Sequence, residues 1–454
     1  LEFQRGTLPM NLVTDCIPEL LAHEVKTVME EMGAASKYSF SFDGTTEVGE
    51  LFCIIVRFVN PSTKIICHRV FKFRVLSKSL SGEELATQLV KHLSLPNEAF
   101  LFSACDGCPA NLKALANLQF LMMGHVNVIC LSHSINVTGG RFKDEFTTVF
   151  ELSSAWFNFV RSSATCRRLF REATGETANR GSNVRWFAEF EVIDQIRRFL
   201  PYCLQICATQ DIGCPAFTKK FIALVNGNEG EVKLQLAMIC DAARRLVTSC
   251  YRLEEDGFMA PLAYDMWTSL RTHLQSMLTH GAAPAEGHTK ALLLDMFPNN
   301  VEEQVREFNR LAQQIQPVAD KIETDSLNGG RLYPQLSTFR FCRLFSFEFA
   351  ANNPITCLAS EVGLYSNVFP SANPGPLLAT LSTYKDYAEQ YVNDLRLKEV
   401  PVLTYTSVHL WAFWRENCLQ LPSWYECAAD VALVFTSSAS VERVFSLYAS
   451  IYVW

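Results

Sequence analysis

Apolar residues recur at helical intervals through positions 10 to 35: Leu12, Val13, Ile17, Leu20, Leu21, Val25, Val28 and Met29 line one face of a predicted helix. The period then shortens. A strand is predicted at Tyr38–Phe42, ending on Asp43-Gly44-Thr45-Thr46. Two β-rich runs follow, Leu51–Val59 and Lys64–Val75, separated by the turn signal Asn60-Pro61-Ser62. These three runs predict an antiparallel meander. Ser81–Leu93 reads as a helix with Ser81 and Glu84 spaced as a capping box. A strand at Ala99–Ala104 ends on Cys105-Asp106-Gly107, a helix runs from Pro109 to Met123, and a last apolar strand covers Val126–Leu131. The order is three strands, helix, strand, helix, strand, which is that of an α/β domain of RNase H-like type: a mixed sheet covered by helices. From about residue 145 to 430 the pattern is helical, broken at Gly281–Gly287, Asp325–Gly330 and Phe369–Pro376. The segment Ser437–Trp454 stops inside a predicted helix, and the chain starts without a methionine, so a truncated copy is expected.

Bulk properties narrow the class without choosing a function. The 454 residues predict two or three structural units. A hydrophobic fraction of 49% against 19% charged residues excludes a disordered chain. The most apolar runs are strand-sized, so no membrane span is expected. Sixteen cysteines are scattered from Cys16 to Cys427, a distribution that fits buried thiols in a cytosolic or nuclear protein better than a disulfide scaffold. A net charge of -7 argues against a DNA-binding surface over the whole protein but leaves room for a local basic groove.

Asp43 and Asp106 are the residues most suited to chemistry, each closing a predicted strand and preceding a glycine. Sites in open α/β sheets form at such strand ends. On neighbouring strands the two carboxylates face one another, and like charges that close resist double ionisation unless a cation lies between them. Mg²⁺ suits such a pair, because it takes a few hard oxygen ligands and keeps positions for water and phosphate. An acid before glycine is equally a common turn former. Arg161, Arg167, Arg168 and Arg171 crowd one predicted helix, and Arg197 and Arg198 lie further on; phosphate contacts need such clusters, and a solvated helix face explains them as well.

Five motifs bear on the choice. Asp43 in SFDGTT and Asp106 in SACDGCPANLKAL resemble the first two acidic motifs of hAT DNA transposases. CLSHSIN places Cys130 and His133 in the family's Cys-x-x-His pattern, and NVRWFAEFEVI supplies its Arg185-Trp186 pair. The stretch WAFWRENCLQLPSWYECAADVALVFTSSASVERVFS is similar to the hAT dimerisation segment, with its early tryptophan, proline, alanine-rich helix, serine-rich turn and ERVFS. The motifs stand in family order from Asp43 to Ser446; the helical middle carries no recognisable marker.

The resemblance implies an RNase H-like mixed sheet interrupted by a large all-α insertion: an N-terminal helical segment at 1–35, a catalytic core at 36–195, the insertion at 196–400, and a dimerisation segment at 401–454 that completes the core. It implies a nuclear DDE-type transposase that cleaves DNA at transposon ends and transfers the strands. Asp43, Asp106 and Glu442 would hold Mg²⁺ or Mn²⁺, Trp186 would stack on a flipped base, and Arg185, His133 and the Arg167, Arg168 and Arg171 cluster would meet DNA, with Cys130 near the site. Without the resemblance, Glu442 reads as an acid in the first turn of a helix capped by Ser438 or Ser440, and Trp186 as part of an apolar helix face with Phe187 and Phe190. Cys105, Cys108, Cys130 and His133 also have the ligand types and pair spacings of a zinc site, although Asp106 and Gly107 fill the first pair. The partners expected are DNA and a second copy of the chain. The BED finger with which such transposases recognise their ends has no counterpart here. The rival expectation is a domesticated, catalytically silent relative that binds DNA or protein.

Overall fold

The computed structural model describes residues 23–45, 50–122, 124–179, 186–209, 214–279, 287–365, 369, 373–400 and 406–452. The part of the first predicted helix within this range, residues 23–34, is helical and is α1; residues 10–22 of that prediction lie outside it. The elements that follow are β1 (Tyr38–Thr45), β2 (Glu50–Val59), β3 (Ile66–Leu76), α2 (Gly82–Leu93), β4 (Phe100–Cys105), α3 (Pro109–Gln119) and β5 (Val126–Ile129). Their order is the predicted one. β1, β2 and β3 pair antiparallel, as the meander requires, and β4 and β5 add in parallel on the other side of β1, giving the mixed sheet β3-β2-β1-β4-β5.

Alternation along the strands gives the sheet two different faces. Phe40, Phe42, Phe52, Ile54, Val56 and Phe58 are fully buried on one face, beneath Leu85 and Leu89 of α2 and Leu115 and Leu118 of α3. Each such side chain contributes about 1.5–3 kcal/mol through burial. α2 begins as predicted: Ser81 accepts from the Glu84 amide, and the Glu84 carboxylate accepts from the Ser81 amide. The opposite face carries Ser39, Ser41 and Asp43 on β1 and Leu51, Cys53 and Ile55 on β2. Residues from the far end of the chain cover it. Ser39 donates to the Leu433 carbonyl at 2.6 Å. Val441 and Phe445 of the helix Ala439–Tyr452 pack with Leu51, Cys53 and Ile55.

The chain divides into two compact units. The first contains the sheet and is assembled from three stretches: the chain up to Cys130, Leu253–Tyr264, and Pro334 onward. Its C-terminal part has an aromatic core in which Tyr384, Trp414 and Trp424 are fully buried. Two of their polar atoms are matched there: the Tyr384 hydroxyl donates to Leu344 O at 2.7 Å and Trp414 Nε1 to Phe345 O at 2.9 Å. A half-buried ion pair, Lys37 to the buried Asp430 at 2.8 Å, ties the residue before β1 to the helix Pro422–Val431.

The second unit, Leu131–Arg252 with Asp265–Tyr333, is helical in its described residues. Trp156 lies at the centre of one part of its core, with the rings of Phe159, Phe170 and Phe221 around it. Its helix Trp186–Ala208 bends at Phe199, two residues before Pro201, whose missing N–H and bulky ring interrupt the ladder. No helix among the described residues is long and apolar enough to cross a membrane.

Candidate active site

β1 and β4 are neighbours and parallel, with Ser41 opposite Ala104. Continuing that register by two residues sets Asp43 level with Asp106. Asp43 lies within β1 rather than after it, because Asp43, Gly44 and Thr45 still pair with Cys53, Phe52 and Leu51. Asp106 follows β4 directly, and α3 starts at Pro109, a good first helical residue because it has no N–H to leave unpaired.

The two carboxylates meet through Asn111. Its Nδ2 donates to Asp43 Oδ1 at 3.0 Å and to Asp106 Oδ1 at 2.7 Å. Asp43 Oδ1 also accepts from the Gly44 amide at 2.8 Å, and Asp106 Oδ1 from the Cys108 amide at 2.9 Å. Asn111 is buried in the first turn of α3. Burial, and secondly the charge of Asp106, push the Asp43 carboxyl up to about 7, against the pull of the Gly44 and Asn111 donors. Cys53, opposite Asp43, is pushed up to about 12 by its own burial and then by the Asp43 charge. The site is therefore one where negative charge is crowded and poorly solvated.

Glu442 stands in the first turn of the helix Ala439–Tyr452, which packs on the sheet face that carries Asp43. The start of this helix is held differently from the serine caps expected. Ser437 Oγ accepts from the Ala439 amide at 3.0 Å, whereas Ser440 is inside the helix and donates to Asp256 Oδ1 at 2.7 Å. Ser438 contributes its backbone: its amide donates to Cys130 Sγ at 3.3 Å and its carbonyl accepts from the Val441 amide at 2.9 Å. Cys130 thus belongs to the floor under the Glu442 helix. Among the described residues, no group of three or more His, Cys, Asp or Glu side chains is gathered closely enough to hold a metal ion.

The cysteines proposed for zinc have separate surroundings. Cys105 is buried in the helix-covered core, with Sγ 3.0 Å from the Asp106 carbonyl; Cys108 is exposed; and Cys130 faces the serine turn. All described cysteines are free thiols.

The remaining expected residues belong to the second unit. His133 lies half-buried in the helix Leu131–Gly139. Arg185 is outside the described residues, and Trp186 opens its helix, followed by buried Phe187 and Phe190. Arg167 is occupied with the end of the helix Thr147–Ser162, donating to the carbonyls of Val160 at 2.7 Å and Arg161 at 3.2 Å. Arg168 pairs with Glu172 at 2.7 Å, while Arg161 and Arg171 are exposed. Arg197 and Arg198 pair with Asp194, and Arg198 also with Glu176.

Sequence reasoning passed over Asn111, Ser437 and Asp256. The first was visible only as a letter inside SACDGCPANLKAL, since an asparagine in a first helical turn carries no periodic signal. In comparison with known proteins, no family model and no curated protein matches this chain.

Proposed function

We propose that the chain is the catalytic body of a hAT-type DNA transposase, or of a host protein descended from one, on an RNase H-like fold interrupted by a helical insertion. Nuclear location, pairing of two copies through residues 401–454, and DNA contact by His133, Arg185, Trp186, Arg167, Arg168 and Arg171 belong to this reading. The observation that carries it is the pair of carboxylates on adjacent parallel strands, one within β1 and one directly after β4, held by one amide near the sheet face where the Glu442 helix packs.

The pair suits Mg²⁺ or Mn²⁺: its donors are hard oxygens, and burial first, then the Asp106 charge, raise the Asp43 carboxyl, a strain that a cation would relieve. Asp43 and Asp106 would hold the ion together with Glu442. Bound there, such an ion would lower the pKa of water and stabilise the leaving oxygen in phosphodiester displacement. Asn111 fixes the Oδ1 atoms and leaves each carboxylate its other oxygen to offer. Cys53, held as a thiol, takes no part in proton transfer near neutral pH.

A second reading, the catalytically silent binder of DNA or protein, is favoured by the same amide, which bridges the two carboxylates where a cation would otherwise stand. One experiment separates the two. A labelled duplex is incubated with Mg²⁺ or Mn²⁺ and either the parent chain or Asp106→Ala. Metal-dependent nicking lost in the variant is the expected result. A folded parent chain that binds the duplex without nicking it would select the silent binder.

A further inference from the structure

We propose that Asp256 and Arg443 are positioning residues that set the rotation of the helix Ala439–Tyr452 and so turn position 442 toward β1; this rests on the reading of Glu442 as the third carboxylate. Val441 and Phe445 point at the sheet, against Leu51, Cys53 and Ile55 of β2. Successive helical residues are about 100° apart, so Ser440 and Arg443 share one flank of this helix and Glu442 occupies the other. The first flank is anchored at Asp256. Ser440 Oγ donates to Asp256 Oδ1 at 2.7 Å, Arg443 Nη2 donates to the same oxygen, and Arg443 Nη1 donates to the Glu254 carbonyl at 3.0 Å. His68 of β3 lies 3.8 Å from that carboxylate, so the anchored flank faces β3. β3 and β1 lie on opposite sides of β2, so the flank of Glu442 faces β1, the strand of Asp43.

Asp256 itself stands on a fixed support. Arg57, only 3% exposed, donates through Nη2 to the Gly257 carbonyl at 2.7 Å. A Cβ at Gly257 would overlap the Ser407 side chain, and the Phe258 ring lies edge-on to Trp411 at 5.2 Å. Apolar contact holds the helix on the sheet but is non-directional. The charged and hydrogen-bonded flank supplies the direction. An exposed ion pair of this type contributes little to stability, so its effect belongs in the site and not in the melting curve.

The test uses the full chain with Asp256→Ala, Arg443→Gln, the reciprocal exchange of Asp256→Arg with Arg443→Asp, and Asp106→Ala. Three readouts are taken on proteins that melt cooperatively: amide exchange at residues 441–445, Mn²⁺ affinity by electron paramagnetic resonance, and Mn²⁺-dependent nicking of a labelled duplex. Each single variant at the latch is expected to lose about 10- to 100-fold in Mn²⁺ affinity, with faster exchange at 441–445, and the reciprocal exchange is expected to recover most of both. Parent-like affinity and exchange in both single variants, with Mn²⁺ binding abolished by Asp106→Ala, would overturn the positioning role and leave the catalytic reading standing. If Asp106→Ala leaves Mn²⁺ binding intact, the metal reading falls. Exchange at 441–445 then decides alone: faster exchange supports the latch and unchanged exchange overturns it.

Discussion

At Asp43, stability and chemistry make opposite demands. Its carboxyl titrates near 7 in the fold against an ordinary 3.8, so the folded chain holds a proton that the unfolded chain releases. This group's stabilisation is complete below about 3.8 and is lost as pH rises through about 7. In metal-free buffer at pH 8, Asp43→Asn is therefore expected to raise stability in urea by on the order of 4 kcal/mol, with the gain shrinking as pH falls toward 4. Mn²⁺ should stabilise the parent and not the variant; equal stabilisation of both would mean that the ion binds elsewhere. Asn111→Leu removes the shared donor, and the cost expected at pH 8 is about 1–3 kcal/mol, read from the same urea curves. The two aspartates were legible because each meets glycine at the end of an apolar run. Asn111 was not, because its role exists only once β1 and β4 lie side by side.

Strands and helices were legible in kind and order, since period two and period 3.6 differ sharply across Tyr38–Ile129. Their ends were less so, because partners set them. β1 runs past Phe42 while Cys53 to Leu51 remain opposite, and β5 stops at Ile129 because Leu131 already starts the next helix. Strand neighbours were not written in the pattern either: nothing in the β1 sequence says that β4 joins it. The start of the Glu442 helix likewise depends on a residue far away in sequence, since the buried Ser438 amide has the Cys130 thiol as its acceptor. Cys130→Ala is expected to cost about 1–3 kcal/mol by orphaning that N–H, while Cys130→Ser, which keeps an acceptor, should cost less. Chemical denaturation of the three proteins checks the ranking, and equal stability for alanine and serine would remove the thiol from the account.

Across the molecule, two histidines of the first unit oppose Asp43 in their response to acid. Burial lowers His125, stacked on Phe40, to about 4, and burial together with Arg57 lowers His68 to about 3. Each stays neutral in the fold while the unfolded chain takes up its proton near 6.5, so their contribution is full above 6.5 and declines as pH falls toward those lower values. His125→Phe should accordingly lose about 2 kcal/mol less than the parent between pH 7 and 4.5, measured by urea midpoints at both pH values; parallel losses would exclude His125 as a contributor. How the first unit is assembled bears on synthesis as well as stability. Ser39 meets Leu433 across 394 positions, and the strip Leu51, Cys53 and Ile55 is covered by Val441 and Phe445. On the ribosome, β1 to β3 emerge long before their covering residues, and that strip stays bare until Val441 and Phe445 have been made. Contacts so distant form slowly, and an uncovered apolar strip invites association. A chaperone that recognises apolar strands therefore has a long interval in which to act, and a chain released before Val441 is left with a permanently sticky sheet and no Glu442.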